Sequence, residues 1–235
     1  MIKCITFDLD DTLWAVDPVI THANNTLYGW LDEHAPGFTR QHAVSDFPAL
    51  REQVLEAYPE TAHSVTLIRL RQLEIGLRQA GYSEAEIEKL VPPAFDIFLA
   101  ARNEVTFFPH VTDMLSALKE QEYRIGALSN GNAEVGRAGL GEWFDFALNA
   151  HMVGHEKPHP AMFEQMLASE QLQPAEVIHI GDNPDHDVAG AQQLGIRTIW
   201  VNLQQQTHKT GETADQVVTC LSEVFDAVAA IRTRG

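Results

Sequence analysis

Three short apolar runs in this chain, at residues 2–7, 124–128 and 177–180, each stop at a polar cluster. The clusters are Asp8-Leu9-Asp10-Asp11, Ser129-Asn130-Gly131 and Gly181-Asp182. Apolar, β-favouring runs bounded in this way read as buried strands. Helical periodicity follows at residues 112–119, 161–169, 188–194 and 221–231, with further strands at 146–149 and 197–201 and a short apolar pair at 217–218. Strands alternating with crossover helices predict an α/β fold, a doubly wound parallel sheet with helices on both faces. Ligands of such sheets bind outside the carboxyl ends of the strands, so the three clusters should meet at one edge.

Residues 17–105 break this alternation. Helices are expected at 18–33, 46–57 and 62–80, the last closed by Gly81, and a fourth opens at Ser83, where Glu86 stands at capping-box spacing. Nothing in this block reads as a strand. It is expected to be a helical cap inserted after the first strand, with the core built from residues 1–16 and 106–235. A chain of 235 residues, 45% hydrophobic, can bury a core of that size together with an insertion.

The formal charge of −17 argues against nucleic acid as a partner. No apolar run reaches the roughly 18 residues of a membrane helix, so no membrane association is expected. The N-terminus lacks the pattern of a signal or transit peptide. Cys4 and Cys220 form no CxxC and are expected as core thiols of a reduced, cytoplasmic protein. Nothing in the sequence marks an oligomeric state. An anionic substrate would need a locally positive site in so acidic a chain.

The acids supply a route to one. Asp8 and Asp10 flank Leu9 at a strand end, and two carboxylates so close need a counter-charge or a shared proton. A hard cation such as Mg²⁺, held by carboxylates and substrate phosphate, meets that need. Asp11 also reads as an ordinary turn or cap residue. Ser129-Asn130-Gly131 is either a plain turn or a set of donors for phosphate oxygens. Lys157, in Glu156-Lys157-Pro158-His159-Pro160, where the prolines fix a turn before the next helix, reads by itself as a solvated lysine. Asp187 suits a helix cap, whereas Asp182 at a strand end is harder to explain by capping.

Taken in order, Asp8-x-Asp10-x-Thr12, Ser129-Asn130, Lys157-Pro158 and Gly181-Asp182-x-x-x-x-Asp187 resemble the motifs of the haloacid dehalogenase-like hydrolases. That resemblance implies a Rossmann-like core and Mg²⁺-dependent phosphatase chemistry on a small phosphate ester. It implies Asp8 as the nucleophile that becomes an aspartyl-phosphate, and Asp10 as the acid and base. Thr12 would be structural, Ser129 and Asn130 would bind phosphate, and Lys157 would supply the cation. The metal would be held by Asp8, the Asp10 carbonyl and Asp182, with Asp187 acting through water. His186 departs from the family pattern, which often has Asn before the second acid.

The inserted helices resemble the family's first class of cap, with linkers near residues 14–18 and 102–109. On a helical wheel Thr66, Leu70, Leu73 and Leu77 share a face with Arg69 at its edge, while Arg71 and Arg78 point to solvent. Arg69 either snorkels or contacts substrate. The chain is also similar to a bacterial branch of the family whose characterised member is a flavin mononucleotide phosphatase. The carriers include Phe7 to Trp14, His63 to Arg71 and the run from Ser129. Trp14 near the cap edge could pack a flat ring. Two alternatives stand beside this reading: a 2-haloacid dehalogenase-type hydrolase, and a non-catalytic receiver-like signalling module.

Overall fold

The computed structural model describes residues 1–207 and 214–233. Strand β1 (Cys4–Phe7) leads into helices α1 (Val16–His34), α2 (Pro36–Gln41), α3 (Phe47–Ala57), α4 (Val65–Gln79) and α5 (Glu84–Arg102). The chain then alternates: α6 (Val111–Glu120), β2 (Arg124–Ser129), β3 (Phe146–Asn149), α7 (Ala150–Val153), α8 (Ala161–Glu170) and β4 (Val177–Gly181). A π-helix (Pro184–Ala189), α9 (Gly190–Gln192), β5 (Arg197–Val201), β6 (Gln216–Val218) and α10 (Val224–Thr233) follow. Among the described residues no helix is long and apolar enough to cross a membrane.

Among the described residues the strands form one parallel sheet in the order β3-β2-β1-β4-β5-β6. From β1 the chain winds outward to β2 and β3, then returns to lay β4 on the other side of β1. The winding therefore reverses beside β1, where open sheets leave a crevice for ligands. Register places Phe7, the last residue of β1, opposite both Ala127 and Ile180, so β2 runs two residues and β4 one residue past the end of β1.

Alternation along each strand fills both faces. Ile5 and Phe7 pack with Leu115 of α6 and Val228 of α10, while Cys4 and Leu128 face Met162, Phe163 and Met166 of α8 on the other side. Each large apolar side chain buried in this way stabilises the fold by about 1.5–3 kcal/mol. Burial also pushes the Cys4 thiol up to about 12, which keeps it inert. Cys220 does not share that fate: it lies only half-buried, at the cap of the last helical segment, and is not a core residue.

The inserted helices have a core of their own. Ala23, Leu27 and Leu31 recur every four residues and put one stripe of α1 against α5, while Val19, one turn earlier, packs with the sheet core. Ser64 caps α4 through the Leu67 amide, and the Ser83–Glu86 box opens α5 as the sequence predicts. Helix α2 lies between two of the expected helices, and Pro36 occupies its first turn, where its missing N–H is harmless. Gly76 lets α4 meet α2 closely, since a Cβ there would come 2.3 Å from the Phe38 ring. The expected helix at 188–194 begins earlier, as the π-helix from Pro184, and continues only through α9.

Candidate active site

The strand ends deliver the acids. Asp8 extends the ladder by donating its amide to the Ile180 carbonyl at 2.8 Å, then the chain turns sharply through Asp11, whose φ is 58°. The Asp11 carboxylate accepts the Val16 amide at 2.9 Å, the turn role open to it in the sequence. Short bridges from Asp10 to Trp14 and from Trp14 to Phe107 then bring the outgoing and returning linkers of the insertion side by side. Gly131 follows β2 in close contact with Asp10: a Cβ there would lie 2.4 Å from Asp10 Oδ2, so one of the two would have to shift. Gly181 ends β4 under the same constraint from Asp187, at 2.3 Å.

Lys157 sits at the centre, 1% exposed. Its Nζ donates to Asp8 Oδ1 at 2.8 Å, Asp187 Oδ1 at 2.6 Å and the Leu128 carbonyl at 2.6 Å, so all three donors are used. The solvated alternative for this lysine does not hold. Asn130 clamps its main chain: the amide group donates to the Lys157 carbonyl at 2.9 Å and the side-chain carbonyl accepts the Lys157 amide at 2.7 Å. This corrects the expectation for Asn130, whose carboxamide is engaged with the lysine and not turned toward a phosphate. The Ser129 hydroxyl lines the same small cavity of about 170 Å³ and accepts the Gly131 amide at 2.9 Å.

Behind Asp187 stands His179, fully buried, with Nε2 3.2 Å from Asp187 Oδ1 and Nδ1 2.8 Å from the Thr6 hydroxyl. The Asn183 amide donates to Asp187 Oδ2 at 3.0 Å. Thr12 ties the first strand end to the fourth: it accepts the Asp182 amide at 3.0 Å and donates to Asp182 Oδ1 at 3.1 Å. His186 lines the cavity, and its amide is capped by the Asn183 side chain at 3.0 Å.

The charge is lopsided. Burial raises the Asp8 carboxyl well above the usual range; Lys157 opposes this, and Asp187 and Asp182 add to it. Burial and then Asp187 push Asp182 up to about 7. Burial acts on Asp187 too, but Lys157 and His179 outweigh it and hold that carboxyl below its ordinary value. Burial works against the Lys157 ammonium, yet Asp187 and Asp8 keep its pKa raised. One lysine thus faces three acids, and Asp8, Asp182 and Asp187 present oxygens all within 4.8 Å of one another. An all-oxygen donor set with excess negative charge fits a hard divalent cation.

Asp10 is not part of that triad. Arg102 donates through Nη2 to both of its carboxylate oxygens, at 2.6 and 2.5 Å, and Trp14 Nε1 donates to Oδ1 at 2.9 Å. Trp14 is fully buried, which corrects the expectation that it could pack a flat ring. Arg102 had no sequence signal: a basic residue in the last turn of a helix ordinarily answers the helix dipole.

A larger cavity of about 360 Å³ shares Asp10 and Gly131 with the small one and opens between the inserted helices and the sheet edge. Arg69 lines it. Its guanidinium lies over the rings of Phe98 (4.2 Å to the centroid) and Phe47 (4.9 Å), and Nη2 donates to Asn24 Oδ1 at 2.7 Å. The expected stripe of α4 is displaced: the buried face carries Ile68, Arg69, Gln72, Leu73, Gly76 and Leu77, so Arg69 stands within it and does not snorkel. Arg71 and Arg78 do reach solvent, paired with Glu74 and Glu84. Asn132 meets Thr66 at 3.3 Å and Ser64 meets His151 at 2.9 Å, joining the inserted helices to the sheet side of the cavity.

Comparison with known proteins agrees with this architecture. The chain is 34% identical over 202 residues (85% of this chain, 83% of the relative) to the 5-amino-6-(5-phospho-D-ribitylamino)uracil phosphatase YigB of Escherichia coli (strain K12). It is 29% identical to a phosphoserine phosphatase of Thermus thermophilus, over 68% of this chain and 65% of that one. The crystal structure of a 2-haloacid dehalogenase from Pseudomonas syringae pv. Tomato DC3000 superposes with a TM-score of 0.91 at 37% identity, covering 98% of this chain and 99% of the other. The family model for haloacid dehalogenase-like hydrolases matches residues 2–195, and the chain belongs to that family.

Proposed function

We propose that this hydrolase is a Mg²⁺-dependent phosphatase that acts on a small phosphate monoester through an aspartyl-phosphate on Asp8. The observation that carries the reading is the site's charge pattern: Asp8 in contact with the buried Lys157, two further acids within 4.8 Å, and Asp10 two residues on at the cavity mouth. Asp8, Asp182 and Asp187 would hold the cation, with the Asp10 carbonyl; when bound, it would supply charge that lets a carboxylate approach a phosphate dianion.

Asp8 attacks phosphorus in line while the bond to the leaving oxygen breaks, and Asp10 protonates that oxygen. Lys157 orients the nucleophile through Oδ1 and offsets charge on the transferring group. The Ser129 hydroxyl and the amides after β2 receive the phosphate oxygens. Asp10 then takes a proton from water as it attacks the acyl-phosphate, which releases inorganic phosphate and restores Asp8. Residues 17–105 act as a cap whose closure excludes water and carries the specificity contacts.

Flavin mononucleotide is the first candidate substrate. The branch resemblance supports it, as does the relative YigB, whose substrate also joins a ribityl phosphate to a flat heterocycle. The larger cavity, which sets apolar walls such as Ile20, Phe47 and Phe98 beside Arg51, Arg69 and Arg102, offers room for such a leaving group. Phosphate release from flavin mononucleotide and p-nitrophenyl phosphate, with Mg²⁺ and with EDTA, tests the reading; full activity in EDTA overturns it.

The solved dehalogenase relative favours a second reading, displacement of halide from carbon by Asp8. That chemistry has no use for a metal or for an acid at position 10, and this chain has both the acidic triad and Asp10. Chloride release from 2-chloropropionate, measured beside phosphate release, separates the two.

A further inference from the structure

His179 stands in the middle of β4 with Val177, Ile178 and Ile180, where a parallel sheet covered on both faces ordinarily carries apolar residues. It is 1% exposed and both ring nitrogens are engaged: Nε2 lies 3.2 Å from Asp187 Oδ1, and Nδ1 lies 2.8 Å from the Thr6 hydroxyl. The edge contact with Phe163, 5.0 Å between ring centroids, closes another side. The partners set the tautomer. Burial works to raise the Asp187 carboxyl, but Lys157 and His179 outweigh it, so the group is ionised and only accepts; Nε2 must carry the proton. Burial lowers the His179 pKa and keeps the ring neutral, which leaves Nδ1 to accept from Thr6.

Asp187 is thereby held from several sides. Lys157 Nζ and His179 Nε2 fill Oδ1, and the Asn183 amide takes one side of Oδ2. Gly181, where a Cβ would lie 2.3 Å from the carboxylate, lets it lie close against the strand. What remains for a ligand is the rest of Oδ2. We infer that His179 is a positioning residue that keeps Asp187 to single-oxygen contact and so disfavours Ca²⁺ relative to Mg²⁺ at the acidic site. The inference rests on the cation half of the phosphatase reading and adds to it the residue that sets the choice of ion. Ca²⁺ takes carboxylates through one oxygen or both and tolerates irregular shells, whereas Mg²⁺ demands a near-octahedral one and takes few carboxylates. A carboxylate with Oδ1 committed cannot close both oxygens on one ion, which removes the contact that favours the larger ion. Loss of the His179 donor frees a side of Oδ1 and lets the carboxylate plane turn, which opens that contact. A histidine with a purely structural role would instead lower stability and leave the choice of ion as it was.

Calorimetric titration of the full chain with Mg²⁺ and with Ca²⁺, at one fixed pH, tests this without reference to turnover. His179→Leu removes the donor and should weaken Mg²⁺ binding by about 10- to 100-fold, the range for partners that stand behind a metal ligand, while Ca²⁺ binding changes much less. His179→Gln can place an amide N–H near the position of Nε2 and should keep the ratio of the two dissociation constants close to that of wild type. Thr6→Val leaves the ring but removes the hydroxyl that orients it, and should shift the ratio in the same direction by a smaller factor. It decides the matter where His179→Leu does not fold. Thermal melts beside each titration separate lost stability from lost choice of ion. A ratio unchanged in the deciding variant, or shifted as far by His179→Gln as by His179→Leu, overturns the inference and leaves the phosphatase reading standing. A wild type that binds neither ion overturns the cation reading, and the inference with it.

Discussion

Arg102 reaches across 92 residues of sequence to hold both carboxylate oxygens of Asp10 with a single nitrogen, Nη2, at 2.6 and 2.5 Å. Arg102 ends the last inserted helix and Asp10 begins the first linker, so this pair joins the insertion to the strand end that carries Asp8. The position of Asp10, the proposed acid and base, therefore depends on where the insertion sits.

Removing that arginine should harm stability and catalysis together. Arg102→Ala leaves Asp10 without its counter-charge; Asp10 is partly exposed, so the loss should be nearer about 1–3 kcal/mol than the 3–5 of a fully buried pair. Urea denaturation reads that loss. Catalysis should suffer more with flavin mononucleotide, whose alkoxide needs a proton, than with p-nitrophenyl phosphate, whose leaving group does not. Equal losses on both esters would show that Arg102 does not position the acid.

Gly131→Ala tests the close approach of the β2 loop to Asp10. A Cβ there would sit 2.4 Å from Asp10 Oδ2, so the loop or the carboxylate must shift. Overpacking of this kind costs about 1–3 kcal/mol. The variant should fold with a lowered Tm and lose most of its kcat. Wild-type kinetics would mean that the loop has slack absent from this geometry.

Asp182 gives a pH signature in the metal-free protein. Its carboxyl titrates at about 7 in the folded chain against an ordinary 3.8, raised first by burial and then by Asp187. Between those values the folded state keeps a proton that the unfolded state has released, so this group's contribution to stability falls as pH rises from about 4 to about 7. His179, held neutral by burial below its ordinary 6.5, works in the opposite direction, so wild type must be compared with Asp182→Asn. In EDTA, urea midpoints at pH 5 and 7.5 should favour Asp182→Asn increasingly at the higher pH. Mg²⁺ should stabilise the wild type at pH 7.5 and reverse the difference. A gap that does not change with pH would contradict the burial of this charge.

The fold and half of the site were legible for one physical reason. A parallel sheet puts the carboxyl ends of its strands on one edge, so Asp8, Ser129 and Asp182 had to be neighbours wherever the helices went. Lys157 and Asp187 join them through turns that local spacing fixes. Arg102 was not legible, and Arg69 and Asn130 were legible only as candidates, because their partners lie on segments far apart in sequence. The wheel drawn for α4 failed because its buried face includes Gln72, which donates to the Phe47 carbonyl at 2.7 Å, and Gly76, which admits Phe38. Hydrophobicity alone ranks both below Leu70 and so turns the helix. Trp14 had an apolar payload in sequence and a hydrogen-bonding use in the structure.

The central claim, that Asp8 becomes phosphorylated, is tested most directly by rapid-quench labelling with ³²P-labelled p-nitrophenyl phosphate in the presence of Mg²⁺. Asp10→Asn keeps the nucleophile and removes the base that drives the second step, so it should accumulate an acid-stable, hydroxylamine-labile phosphoenzyme on Asp8. Asp8→Asn has no nucleophile and should carry no label. Equal labelling of both variants, or label on another residue, would contradict the assignment of Asp8.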